Sequence, residues 1–196
     1  MDKAAKRLAV IYVILLSLCA PLMAVHFELF TWFMGVVDMS YWTQTVLWFL
    51  PMLVYGGILV ILGIWNMVKS FQIYKRQDML GCINGMLIHK YGLVIFFCVN
   101  FIVLFLVYFM LTFGLVMGTR GLALLVAPVW LPFVLVMIGW SVIMSWLAIL
   151  PGSMYSIQVI RGSVRAGKIS GGAAVLHGIL QFLFLADVLD AMYLAA

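Results

Sequence analysis

Charged residues in this chain are confined to short stretches. Between them lie five runs without Asp, Glu, Lys or Arg: 8–25, 45–65, 91–117, 122–150 and 169–186, each 18 to 29 residues long. A helix crosses the hydrocarbon of a bilayer with about 20 mostly apolar residues, because lipid offers the backbone no hydrogen-bond partner. The pattern predicts an all-α, polytopic integral membrane bundle of five transmembrane helices over 8–25, 45–65, 91–117, 122–150 and 170–192, forming one domain over 1–196. The segment 26–40, with His26, Glu28 and Asp38 among aromatic residues, is expected to lie at the outer interface or to re-enter the membrane.

Composition agrees with this class. Of the 196 residues 67% are hydrophobic and 9% charged, against about a quarter charged in a soluble domain. Three cysteines are too sparse for a disulfide scaffold. The N-terminal Lys3, Lys6 and Arg7 before an apolar run resemble a leader, but Leu16-Ser17-Leu18-Cys19 places a large Leu before the Cys, and a retained first helix is expected.

Basic residues set the expected orientation. Lys3, Lys6 and Arg7 precede the first run, Lys69, Lys75, Arg76 and Lys90 separate the second from the third, and Arg161, Arg165 and Lys168 separate the fourth from the fifth. Five crossings put these ten on one side and Arg120 on the other, so the N-terminus is expected in the cytoplasm of a bacterial-type cell and the C-terminus outside. The net charge of +5 is then topogenic and implies no nucleic acid. Lys75, Arg76, Arg161, Arg165 and Lys168 are candidates for contact with anionic lipid or with a cytoplasmic partner subunit docked on the connectors 66–90 and 151–171. A homo-oligomer is the other partner expected within the bilayer.

The two connectors share a pattern. Ser70-Phe71-Gln72-Ile73-Tyr74-Lys75 aligns with Ser156-Ile157-Gln158-Val159-Ile160-Arg161. At the same offset of 86, Gly81-Cys82-Ile83-Asn84-Gly85 aligns with Gly167-Lys168-Ile169-Ser170-Gly171. A duplication would make 45–117 and 122–194 parallel repeat halves, an arrangement used by transporters. Similar connector composition accounts for the same letters without duplication.

Ionisable and amide side chains inside spans cost several kcal/mol and mark candidate function. His89 and Asn100 fall on the third helix; His177, Gln181 and Asp187 fall on the fifth. The repeat would bring His89 level with His177 and Asn100 level with Asp187, making a polar seam between the halves. Such a seam suits substrate or proton handling in a small permease, or in the membrane subunit of a larger transporter. No G-x-x-x-x-G-K-[S/T] motif supplies ATP binding. An integral membrane enzyme is the alternative, with His89 and His177 ligating a haem or metal, or with Cys82 and His89 as a thiol dyad. A non-catalytic assembly or immunity protein is a third. No catalytic set and no metal-ligand motif stands out, and no cofactor is assigned.

Overall fold

The computed structural model describes residues 3–125, 127–183 and 186–195, and their side chains except those at 103, 104, 107, 108, 111, 130, 133, 137 and 140. Seven α-helices occur among them: α1 Lys3–Ser17, α2 Cys19–Val36, α3 Tyr41–Lys75, α4 Met79–Gly118, α5 Ala127–Arg165, α6 Gly171–Leu180 and α7 Ala186–Ala195. A 3₁₀ turn, Leu122–Leu124, lies between α4 and α5, and no strand occurs among the described residues. Four helices are long and apolar enough to cross a membrane, within α2, α3, α4 and α5.

Helix ends follow local chemistry. Ser40, Asp78 and Ser170 cap α3, α4 and α6, each accepting a hydrogen bond from the backbone N–H three residues on. α1 runs almost directly into α2, since Leu18 keeps helical backbone angles and Leu22 N–H donates to its carbonyl. Within the segment 26–40, residues 26–36 are therefore the second part of α2, which follows on from α1, and 37–40 link it to α3. His26, Phe27 and Phe30 pack on the Trp48 ring of α3, and His26 Nε2 lies 3.1 Å from the Trp48 carbonyl.

The fifth expected span, 170–192, is not one helix. It is divided into α6 and α7, each 10 residues long, or about 15 Å. In a continuous helix, residues thirteen apart lie about 20 Å from each other; here His177 Nδ1 is 2.5 Å from Asp190 Oδ1. The two helices form a hairpin. Ala191 at the far end of α7 packs with Ala5, Ile73, Cys82, Met86, Tyr155 and Val159, so the chain returns to the end of the bundle from which α1 starts. The expected C-terminus on the opposite face does not follow from this path.

The repeat halves differ as well. Gly81–Gly85 lies inside α4, whereas 167–171 is the turn into α6. The left-handed turn residues are Gln77 in one connector and Gly167 in the other, which the offset of 86 does not superpose. What the alignment does reflect is that α3 and α5 lie side by side in nearly that register, with Gly63 against Pro151 and the Arg161 guanidinium over the Tyr74 ring.

Packing is divided along the bundle axis. Toward the α1 end, α1, α3, α4 and α5 bury two clusters, one around Cys82, Met86 and Tyr155 and one around Tyr12, Val13, Leu93 and Phe96. Toward the other end, apolar side chains face outward, including the stacked ladder Phe101, Phe105, Phe109 and Phe113 on α4. Lipid solvates such a surface, whereas the inner half must pack against itself.

Close packing there depends on small residues. A Cβ at Gly85 would strike the Tyr155 ring, and one at Gly152 would come within 2.9 Å of His89 Cβ. Gly57 has open space around it. Gly85→Ala is expected to lower stability by about 1–3 kcal/mol through overpacking, and Gly57→Ala to leave it within about 0.5 kcal/mol, in unfolding measured in detergent.

Candidate functional site

The buried polar residues gather where the α6–α7 hairpin meets α4 and α5. Lys90 on α4 is 3% exposed. Its Nζ donates to Asp187 Oδ2 on α7 at 2.5 Å and to Ser153 Oγ on α5 at 3.3 Å. Ser153 Oγ in turn lies 2.7 Å from the carbonyl of Gln181, at the end of α6. This triad ties α4, α5 and the hairpin turn together. The physical cause is that an ammonium group removed from water needs a counter-charge and hydrogen-bond acceptors, and a residue far along the chain supplies the counter-charge.

A second group lies beside it. Asp190 accepts from His177 Nδ1 through one carboxylate oxygen and from Gln181 Nε2 through the other. Tyr193 stacks on the His177 ring with centroids 5.3 Å apart. Asp187 and Asp190 are 4% and 6% exposed. The outward side chains of the hairpin, Val175, Leu176, Ile179 and Leu189, are apolar and exposed. The hairpin thus turns charge inward and hydrocarbon outward, the arrangement that ionisable residues take within a bilayer.

His89 lies one residue before Lys90 but faces another way. Its Nδ1 donates to the Gly85 carbonyl at 2.8 Å, and its ring lies between those of Tyr12 and Tyr155. That bond leaves Nε2 as the acceptor, fully buried and without a partner among the described residues. Asn66 Oδ1, both amide atoms of Gln158 and Gln181 Oε1 are likewise buried and unpartnered there. Buried polar atoms are almost always paired, so five in one half of a small bundle form an unusual concentration.

The structure brings some residues of the expected seam together and leaves others apart. Gln181, His177 and Asp187 come together, and His89 borders them through Lys90. Asn100 does not join: it lies ten residues further along α4, donating to Ser145 of α5 at 3.2 Å, while Asp187 pairs with Lys90. Lys90, grouped by its position with the basic residues of the connector, is buried, unlike Lys75 and Arg76. Sequence reasoning passed over Lys90, Ser153 and Asp190. A basic residue next to His89 at the edge of a 27-residue apolar run was the available signal for the first.

The enzyme arrangements fare differently. Cys82 and His89 lie on one helix about 10 Å apart along its axis, with Cys82 inside an apolar cluster, so they make no dyad. His89 and His177 are held by separate partners, and the described residues contain no group of three or more His, Cys, Asp or Glu able to hold a metal. Lys75, Arg76, Arg161, Arg165 and Lys168 are all exposed at the α1 end.

The chain matches DUF6652, a family of unknown function, over residues 3–196. It belongs to that family. No curated protein and no solved structure matches it.

For this DUF6652 member the Lys90–Asp187 pair can be tested by a double-mutant cycle. Lys90→Met and Asp187→Leu each leave a buried charge alone and are expected to cost about 3–5 kcal/mol. The double variant is expected to be more stable than either single one, measured by unfolding in detergent. Additive losses would mean that the two side chains do not interact.

Proposed function

We propose that this protein is a small membrane transport protein, a permease or the membrane subunit of a larger transporter, moving a small polar solute or ion through its polar interior. The observation that carries the reading is the network of Lys90, Asp187, His177, Asp190, Gln181 and Ser153, all buried except the partly buried His177. A chain that only had to fold would do at least as well with apolar side chains at these positions, since replacing a buried ion pair by hydrophobic residues is often neutral or stabilising. Each unpartnered buried polar atom adds about 1–3 kcal/mol of desolvation cost. Such groups are useful where a polar species passes and supplies the missing hydrogen bonds.

A further feature supports transport. Helices broken within the membrane are a recurring device of transporters, and the α6–α7 turn is a break of this kind beside the charged groups. Lys90 is paired with Asp187, while Asp190 holds His177 and Gln181. Without an ATP-binding motif, the energy comes from an ion gradient or a partner subunit, for which the exposed Lys75, Arg76, Arg161, Arg165 and Lys168, around the α3–α4 and α5–α6 turns, offer a docking face.

In this reading the chain crosses the membrane four times, by α1–α2, α3, α4 and α5, with the α6–α7 hairpin re-entering from the side where it began. Nine basic residues, Lys3, Lys6, Arg7, Lys69, Lys75, Arg76, Arg161, Arg165 and Lys168, then share the cytoplasmic face with both termini, and Arg120 lies opposite. Reporter fusions at the two termini are expected to report the same compartment. Reporters in opposite compartments would rule out the re-entrant hairpin.

Transport itself is tested in proteoliposomes with a panel of labelled monovalent ions and small polar solutes, with and without an imposed pH gradient. Uptake above protein-free vesicles is expected for at least one, and Asp190→Asn is expected to abolish it in protein that elutes normally from size exclusion. Wild-type protein that moves none of them, or Asp190→Asn protein that transports like wild type, would count against the proposal.

A further inference from the structure

The exposed face of α1 has no role in the polar interior, yet its chemistry changes sharply along the helix. Ala5, Ala9, Tyr12, Val13 and Leu16 are buried at the i, i+4, i+7, i+8, i+11 spacing of one helical face. The opposite stripe begins with Lys3, Lys6 and Arg7, all exposed, and continues with Val10, Ile11 and Ile14, also exposed. α1 contains three cations and no acid.

α4 runs parallel to α1 and repeats the gradient. The direction is set by Ala5 packing in one cluster with Cys82 and Met86, and by Val13 lying against Gly92. Between the two helices is a groove lined by Lys6, Asn84, Leu87 and Ile88, and beside it lies an open surface of α1 alone, formed by Lys3, Lys6, Arg7, Val10 and Ile11. Asn84 is exposed near the level of Lys6; beyond Ile88 the α4 surface goes on with exposed Tyr91 and Ile95. Asp2 precedes Lys3 in the sequence and lies outside the described residues, and Asp78 caps α4 by accepting from the Gly81 N–H at 2.8 Å.

We propose that this groove is a binding site for an anionic phospholipid of the leaflet facing the basic end of the bundle. The phosphate group takes Lys6, with Lys3 and Arg7 adding charge and Asn84 a hydrogen-bond donor. One acyl chain lies along Leu87 and Ile88. Charge complementarity selects the headgroup. The apolar continuation on both helices selects a lipid over a soluble anion, because a free phosphate has nothing to place on that surface. The site is separate from the Lys90–Asp187 network, so it stands or falls independently of the transport reading.

The test uses purified full-length protein in neutral detergent, titrated with phosphatidylglycerol or phosphatidylcholine. Bound lipid is counted by native mass spectrometry, and melting temperature is followed in parallel. Wild-type protein is expected to retain phosphatidylglycerol in preference to phosphatidylcholine and to melt higher with it. Lys6→Gln is expected to weaken that preference about fivefold, the effect of one basic residue near an anionic surface. It leaves Lys3 and Arg7 to orient the first helix. Asn84→Ala, on the facing helix, is expected to weaken retention too, whereas Arg161→Gln, at a separate exposed basic position, is expected to leave it unchanged. Equal retention of the two lipids by wild-type protein would overturn the proposal, as would an undiminished preference in both Lys6→Gln and Asn84→Ala. Inorganic phosphate raising the melting temperature as much as phosphatidylglycerol would also overturn it, in favour of a soluble anion.

Discussion

A lysine in an apolar interior cannot be left without a counter-charge, and the inner half of this bundle is organised around that constraint. Lys90 sits on a 40-residue helix whose continuation is almost wholly apolar. Its nearest carboxylate in sequence, Asp78, is occupied at the cap of the same helix. The partner is Asp187, which reaches Lys90 because the chain after α5 rises by one short helix, turns and descends by another. The turn is held from α5 through Ser153, which meets both Lys90 and the Gln181 carbonyl. One buried cation thus connects α4, α5 and the hairpin, and explains why the last apolar stretch does not continue across as a helix.

Once the hairpin is turned back, its second carboxylate follows. Asp190 lies one turn after Asp187, on the same side of α7, and meets His177 and Gln181 on the rising helix. The result is a layered inner half. Apolar packing around Cys82, Met86 and Tyr155 lies toward the termini, the charged network lies above it, and the His89 imidazole is inserted between Tyr12 and Tyr155. Two glycines permit the close approach of α4 and α5 that this requires. Gly152 admits His89 and Gly85 admits Tyr155. The outer half needs none of this, because lipid solvates its side chains and the helix backbones satisfy themselves.

The transport reading and the lipid groove draw on different parts of this division. Transport rests on polar groups that the fold encloses despite their cost. The groove rests on polar groups that the fold leaves outside, where exposed cations and exposed hydrocarbon meet along α1 and α4. Both are consequences of an amphipathic pattern continued along the bundle axis, with charge concentrated at one end.

The spacing of charges in the sequence determined the all-helical class, the long apolar helices α3, α4 and α5, and the basic end of the bundle, because hydrocarbon excludes charge wherever a helix crosses it. His177, Gln181 and Asp187 were legible for the same reason, as polar residues in an apolar run. Tertiary structure alone decided the rest. Whether 170–192 spans or folds back depends on the pairing of Lys90 with Asp187 across 97 positions, which no local pattern encodes. Asp190 reads as a water-exposed residue near a helix end until that hairpin buries it. Of the matched connector motifs, 70–75 and 156–161 are both helical, but 81–85 lies inside a helix and 167–171 in a turn, because five similar residues do not specify a backbone without the packing around them. Apolar periodicity is a local property and survives in the sequence, whereas the choice of counter-charge is made in three dimensions.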